Sequence, residues 1–147
     1  MTRALRDELG LEVLAVDWSP VQTEGAARRD KERITSKQGG PSSNKGSLTY
    51  KTLAINEESL LKATDEWASS GSEEHVNQLP VMFLALHACG SLTLDVLRAF
   101  KSRVNTAGQS AWKPGAALIV GCCYNLLQPE GESKLIASFP MTHKVPS

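Results

Sequence analysis

The 147-residue sequence has no long apolar run, no net charge and few cysteines, and each shortage closes off a class of protein. No stretch reaches the length of about 18 apolar residues that a membrane span needs, and the opening residues, MTRALRDELG, lack the apolar core of a signal peptide. The expectation is an intracellular chain, cytoplasmic or nuclear, with no membrane partner. Sixteen Lys and Arg balance sixteen Asp and Glu, so no overall field draws the chain to nucleic acid, and binding to RNA would need a local patch.

The cysteines are Cys89, Cys122 and Cys123, an odd number that comes too late in the chain for a disulfide framework. Adjacent Cα atoms lie about 3.8 Å apart, below the usual window of about 4.4–6.8 Å for a disulfide. A Cys122–Cys123 bridge would be strained, and reduced thiols are expected. His87, Cys89 and the cysteine pair could offer four N/S ligands across neighbouring strands, but none of the usual C-x-x-C spacings is present. No metal site is expected, because buried cysteine commonly serves as a small apolar side chain.

What is present is a regular alternation of helical and strand patterns. A chain of this length buries roughly two-thirds of its unfolded surface, enough for one domain over 1–147. TRALRDEL, residues 2–9, reads as a helix with Ala4, Leu5 and Leu9 on one side and Gly10 as its stop. Leu11, Val13, Leu14, Ala15 and Val16, interrupted only by Glu12, predict a strand covered on both faces and ending in Asp17. Ser19-Pro20-Val21-Gln22 joins a capping serine, a first-turn proline and a capping-box glutamine, and starts a helix that runs through GAARRDKERI. There Arg28, Arg29, Lys31 and Arg33 alternate with Asp30 and Glu32, which favours a solvated face over an RNA stripe.

Gly, Ser and Pro mark residues 35–47 as a flexible loop, and residues 69–78 form a second one. Between them lie an edge-type strand, Leu48 to Ile55, and a helix capped by Asn56 with Leu60, Leu61, Thr64 and Trp67 on one face. Leu79 to Leu86 is the most apolar segment and reads as a central parallel strand. Thr93 is the candidate cap of the next helix, whose apolar face is Leu94, Leu97, Phe100 and Val104. A turn ending in Lys113-Pro114-Gly115 leads to the strand Ala116 to Val120, and ESKLIASF reads as a last helix. This order argues for a parallel α/β sheet with flanking helices and no internal repeat.

In open sheets of this kind ligands bind beyond the carboxyl ends of the strands. That rule selects Asp17, His87 to Gly90, and Gly121 to Asn125. Asp17 offers two acceptor oxygens to the hydroxyls of a ribose, or else serves a turn. Trp18 could lie on an adenine or pack under a helix. His87 has the unperturbed pKa, near 6.5, of a general base, or is satisfied by backbone carbonyls. Gly90 suits the turn that follows it. Tyr124 and Asn125 could stack on and hydrogen-bond a planar group, or simply pack. In dinucleotide-binding units an acid like Asp17 follows a glycine-rich loop by about 20 residues, yet only sixteen residues precede it here.

Taken together, HACGSLTLDVLRAF, IVGCCYNLL and the downstream FPMT resemble the S-adenosyl-L-methionine-dependent methyltransferase domain of the methyltransferase-like protein 25 and ribosomal RNA adenine dimethylase domain-containing group. A related pair occurs in tRNA 2′-O-methyltransferases, but Tyr124-Asn125 after the cysteines matches the first group. The likeness runs from about residue 2 to residue 142. It implies a partial Rossmann-like, class I methyltransferase sheet in which Asp17 follows the second strand, HACG the fourth and GCCYN the fifth, with the first and final strands missing. S-adenosyl-L-methionine is the implied cofactor, held by Asp17, Trp18, His87, Cys89 and Gly90. By the same likeness Cys122, Cys123, Tyr124 and Asn125 would face the substrate, and His87 and Asn125 would position or deprotonate a nitrogen or oxygen acceptor on RNA or protein.

The family's glycine-rich loop has no counterpart before Asp17, so Met1 is expected to be an internal methionine, and the uncovered sheet edge is a surface for self-association. Two other readings stay open. One is a non-catalytic remnant or interaction module of the same fold, and the other a dinucleotide-binding oxidoreductase domain.

Overall fold

The structure is a computed structural model that describes residues 1–36, 46–70, 78–106, 108 and 110–122. The predicted helix ESKLIASF, the FPMT stretch, Cys123, Tyr124, Asn125 and the centres of both predicted loops lie outside the described residues. The chain forms two compact units, Met1–Ile55 and Asn56–Ser147.

The first unit comprises α1 (Thr2–Leu9), β1 (Val13–Asp17), α2 (Pro20–Ser36) and β2 (Leu48–Thr52). Gly10, with φ 66°, ends α1 as expected, and its N–H is donated to the Arg6 carbonyl at 3.1 Å. The predicted apolar side of α1 does little of the packing, since Ala4 and Leu9 are exposed and no residue of the helix is fully buried. Arg6 fastens it instead. Its guanidinium donates to both oxygens of Asp30 in α2, at 2.5 and 2.9 Å, and its Nε donates to Asp7 at 2.7 Å.

Asp30 is therefore buried rather than part of a solvated face, although Arg28, Arg29, Lys31 and Arg33 around it are exposed. The hydrogen bonds from Arg6 to Asp30, and then to Asp7, hold the guanidinium well above its ordinary pKa. A planar fork meeting a carboxylate edge-on is the strongest form of such a pair. It joins residues 24 positions apart, which local patterning does not reveal.

β1 and β2 run parallel, in register from Val13↔Leu48 to Asp17↔Thr52. β1 is half-buried throughout, not covered on both faces as its apolar run predicted. The chain enters β2 by passing close to the end of α1. A Cβ on Gly46 would lie 2.5 Å from the Leu11 carbonyl oxygen and 2.8 Å from that of Arg6, so only glycine fits there.

The second unit comprises α3 (Glu57–Ser70), β3 (Leu79–Ala88), α4 (Leu92–Asn105) and β4 (Trp112–Gly121). Asn56 caps α3 as predicted. Its Oδ1 accepts the Ser59 N–H at 2.9 Å, and Ser59 Oγ accepts the Asn56 N–H at 3.0 Å, a reciprocal box that satisfies two otherwise orphaned donors. The buried stripe of α3 is Leu60, Ala63, Thr64 and Ala68, with Leu61 and Trp67 only half-buried. In α4 the buried residues are Leu94, Val96, Ala99 and Arg103, whereas Val104, expected inside, is half exposed. Alanines lie in both stripes, and a small side chain at the contact lets a helix approach closely.

The core of this unit is aromatic. Phe83 of β3 meets Phe100 edge-on at 6.0 Å and lies 5.6 Å from the fully buried Trp112. β3 and β4 are parallel. Where the sequence predicted a turn at Lys113-Pro114-Gly115, β4 has already begun. The register steps from Val81↔Pro114 to Met82↔Ala116, which leaves Gly115 as an extra residue in a bulge. A bulge accommodates both proline, which has no N–H to donate, and glycine.

Candidate functional site at the strand ends

Each unit places its polar exceptions at the carboxyl ends of its strands. In the first unit β1 ends in Asp17, whose Oδ1 accepts the Ser19 N–H at 2.8 Å. Ser19 in turn starts α2 as predicted, with its Oγ accepting the Gln22 N–H at 3.4 Å and its carbonyl accepting the Thr23 hydroxyl at 3.0 Å. One oxygen of Asp17 thus does the work of a turn aspartate. Among the described residues the other, Oδ2, accepts no hydrogen bond, so the carboxylate retains acceptor capacity. Trp18 is 76% exposed and Val21 is exposed beside it. The reading that packs Trp18 under a helix is overturned, and its indole face is open.

In the second unit His87, Ala88 and Cys89 come together with Gly121 and Cys122. The last register pair of the two strands is Ala88↔Gly121, and the next residues are Cys89 and Cys122, both exposed. His87 is also exposed, and its imidazole makes no hydrogen bond among the described residues, contrary to the reading in which backbone carbonyls satisfy it. Between Ala85↔Ile119 and Ala88↔Gly121, β3 carries one residue more than β4. Leu86 and His87 are consecutive exposed residues there.

The turn out of β3 is closely tied. Cys89 donates its N–H to the His87 carbonyl at 3.1 Å, and the Leu92 N–H is donated to the Cys89 carbonyl at 3.2 Å. Gly90 sits at φ 56°, the left-handed region expected of it. Thr93 is not the helix cap. α4 begins at Leu92 behind Ser91, and the Thr93 hydroxyl donates to the Ala88 carbonyl at 2.8 Å, securing the end of the strand.

One residue beside this turn escaped the sequence reading. Asp95, in the first turn of α4, has its carboxyl pushed above the usual value by burial, against the opposing pull of Arg98 and the Ser91 hydroxyl. Its place four residues after Ser91 is the only local signal of that role. Trp112, Asp65 and Arg103, which meet through hydrogen bonds and a ring contact, were likewise invisible as a group.

Among the described residues no three His, Cys, Asp or Glu are placed to hold a metal ion, and no helix is long and apolar enough to cross a membrane. The sequence model of a family described as a methyltransferase domain matches residues 1–130. No curated protein and no solved structure matches the chain.

Proposed function

Because the chain belongs to this methyltransferase-domain family, we propose that it holds the adenosine end of S-adenosyl-L-methionine through Asp17 and Trp18 and presents His87, with Asn125, to a nitrogen or oxygen acceptor. The observation that carries the proposal is the open Oδ2 of Asp17 beside an exposed indole at the end of β1.

When bound, this cofactor supplies an electrophilic methyl carbon on a sulfonium, so catalysis rests mainly on positioning. Asp17 Oδ2 accepts a ribose hydroxyl while Oδ1 stays with Ser19, a charge-assisted bond worth about 1.5–3 kcal/mol. Trp18 stacks on the adenine, worth about 1–3 kcal/mol. His87, projecting from the bulged end of β3, orients the acceptor or takes its proton. By the resemblance, Cys89 and Gly90 would contact the cofactor, and Cys122, Cys123 and Tyr124 the acceptor. The resemblance of HACG and GCCYN to the methyltransferase-like protein 25 and adenine dimethylase group makes RNA the favoured acceptor and the cell interior the place of action.

Residues 1–16 contain a single glycine, Gly10, which caps a helix. Adenosine carries the ribose hydroxyls and the ring that Asp17 and Trp18 would hold, so adenosine and the full cofactor should both bind.

Calorimetric titration of the 147-residue chain tests the proposal. Both ligands should bind, Asp17→Ala should weaken each by roughly 10- to 100-fold, and NAD should not outcompete the sulfonium. If neither ligand binds at millimolar concentration, the Asp17–Ser19 bond accounts for the acid in full, and the chain is a non-catalytic module of the same fold. Stronger binding of NAD would instead favour the oxidoreductase reading.

A further inference from the structure

We propose that Cys89 and Cys122 form a reversible disulfide that staples the turn after β3 to the end of β4. The parallel register brings the two strand ends together. Ala88 and Gly121 are Cα partners, and each cysteine is the next residue on its strand. Neighbouring strands lie about 4.7–4.9 Å apart, which falls inside the Cα separation of about 4.4–6.8 Å that a disulfide needs.

Exposure agrees with that proximity. Ala88, the last residue of β3, is buried, and Cys89 in the turn beyond it is exposed. Cys122, the residue after the end of β4, is exposed as well. Both thiols are therefore accessible where the two strands end.

The backbone at Cys89 is held before the bond forms. The Thr93 hydroxyl donates to the Ala88 carbonyl, the His87 carbonyl accepts the Cys89 N–H, and the Cys89 carbonyl accepts the Leu92 N–H. Two exposed thiols at adjoining strand ends meet the two conditions for reversible oxidation, access and a resolving partner.

The oxidant is a hydroperoxide. One thiolate attacks a peroxide oxygen, the O–O bond breaks, and the departing oxygen leaves as water or alcohol after taking a proton. The resulting sulfenic acid is attacked by the second thiolate, forming the S–S bond and releasing its oxygen as water. Two electrons pass from the sulfurs to the peroxide, and a dithiol reductant returns them by exchange. This pairing rests on register and exposure, not on the proposed methyl transfer.

The full chain is exposed to hydrogen peroxide, alkylated, digested without reduction and mapped by mass spectrometry. In the folded protein the alkylatable thiols should fall from three to one. The cross-linked peptide should join Cys89 to Cys122 within one monomer, and dithiothreitol should reverse it. The same oxidation in concentrated urea should scramble the pairs, which ties the selectivity to the fold without needing any variant. Cys89→Ser and Cys122→Ser should each abolish the link, while Cys123→Ser leaves it intact. A dominant bond to Cys123, links only between chains, or oxidation of Cys89 to sulfinic acid with no cross-link would overturn the proposal.

Discussion

Asp65 is the acceptor on which the closed end of the second unit depends, and replacing it with alanine gives the sharpest test of the packing described above. Its Oδ1 accepts the Arg103 Nη2–H at 2.6 Å, the Ser110 hydroxyl at 2.9 Å and the Trp112 indole N–H at 2.8 Å. The Arg103 guanidinium carbon lies 4.8 Å from the centre of the Trp112 ring, and its Nε is buried with no hydrogen-bond partner among the described residues. The side chain of Asp65 is 43% exposed, against 10% for Arg103.

That asymmetry sets the magnitude. Losing the acceptor of a fully buried indole N–H costs about 1–3 kcal/mol. Stripping the counter-charge from a buried guanidinium costs about 3–5 kcal/mol in a dry interior, but the exposure of Asp65 lets water replace part of it, and about half that range is retained. Asp65→Ala should therefore lose about 3–4 kcal/mol, which at roughly 3 °C per kcal/mol lowers the melting temperature by about 10 °C. Asp65→Asn keeps an oxygen for the indole and should lose about half as much.

Urea unfolding followed by tryptophan fluorescence measures both variants. In the double variant Asp65→Ala, Arg103→Met the orphaned charge is gone, so part of the loss should return. A loss below about 1 kcal/mol for Asp65→Ala, or strict additivity in the double variant, would refute the argument that buried donors left without an acceptor are what matters here.

Two further outcomes follow from the turn beyond β3. Gly90→Ala places a Cβ at φ 56°, and the strain of about 1–2 kcal/mol should appear as a melting temperature lower by several degrees; an unchanged melting curve would show that the turn relaxes freely. Asp95 has a folded pKa raised above its ordinary 3.8, so its contribution is greatest below that value and is lost as the pH rises through the folded pKa. The stability of Asp95→Asn relative to the parent should therefore improve as the pH climbs from about 3 to about 7, and a difference that stays flat with pH would contradict the burial assigned to this carboxyl.

The elements were legible where the cause is local. Gly10 as a stop, Ser19 and Asn56 as caps, and the apolar runs of β1 and β3 depend on neighbours within a turn or on a period of two. What the sequence concealed depends on partners far along the chain. Asp30 looks like one charge among many in a solvated helix until Arg6, in another helix, is seen to grip it. Arg103 is buried because Asp65 and Trp112 receive it, 38 and 9 positions away. Lys113-Pro114-Gly115 has every mark of a turn, and only pairing with Val81 shows that a bulge absorbs it. The candidate site divides in the same way. Asp17 and His87 announce themselves as polar residues at apolar strand ends, whereas the division of the Asp17 carboxylate between a turn and an open oxygen is a matter of geometry.

The same limit applies most sharply to His87. Val81 and Phe83 are buried, and strict alternation would continue inward through residues 85, 87 and 89. His87 and Cys89 would then sit on the covered face with the aromatic core, and Ala88 would face out. The observed order is the reverse, with Ala88 buried and both His87 and Cys89 exposed. The extra residue between Ala85 and Ala88 causes the reversal, because two consecutive side chains, Leu86 and His87, answer one position on β4 and everything beyond them changes face. A single-residue irregularity thus brings the imidazole and the thiol out of the core together. The chemistry proposed at this strand end therefore depends on the bulge as much as on the side chains, because strict alternation would turn both residues inward.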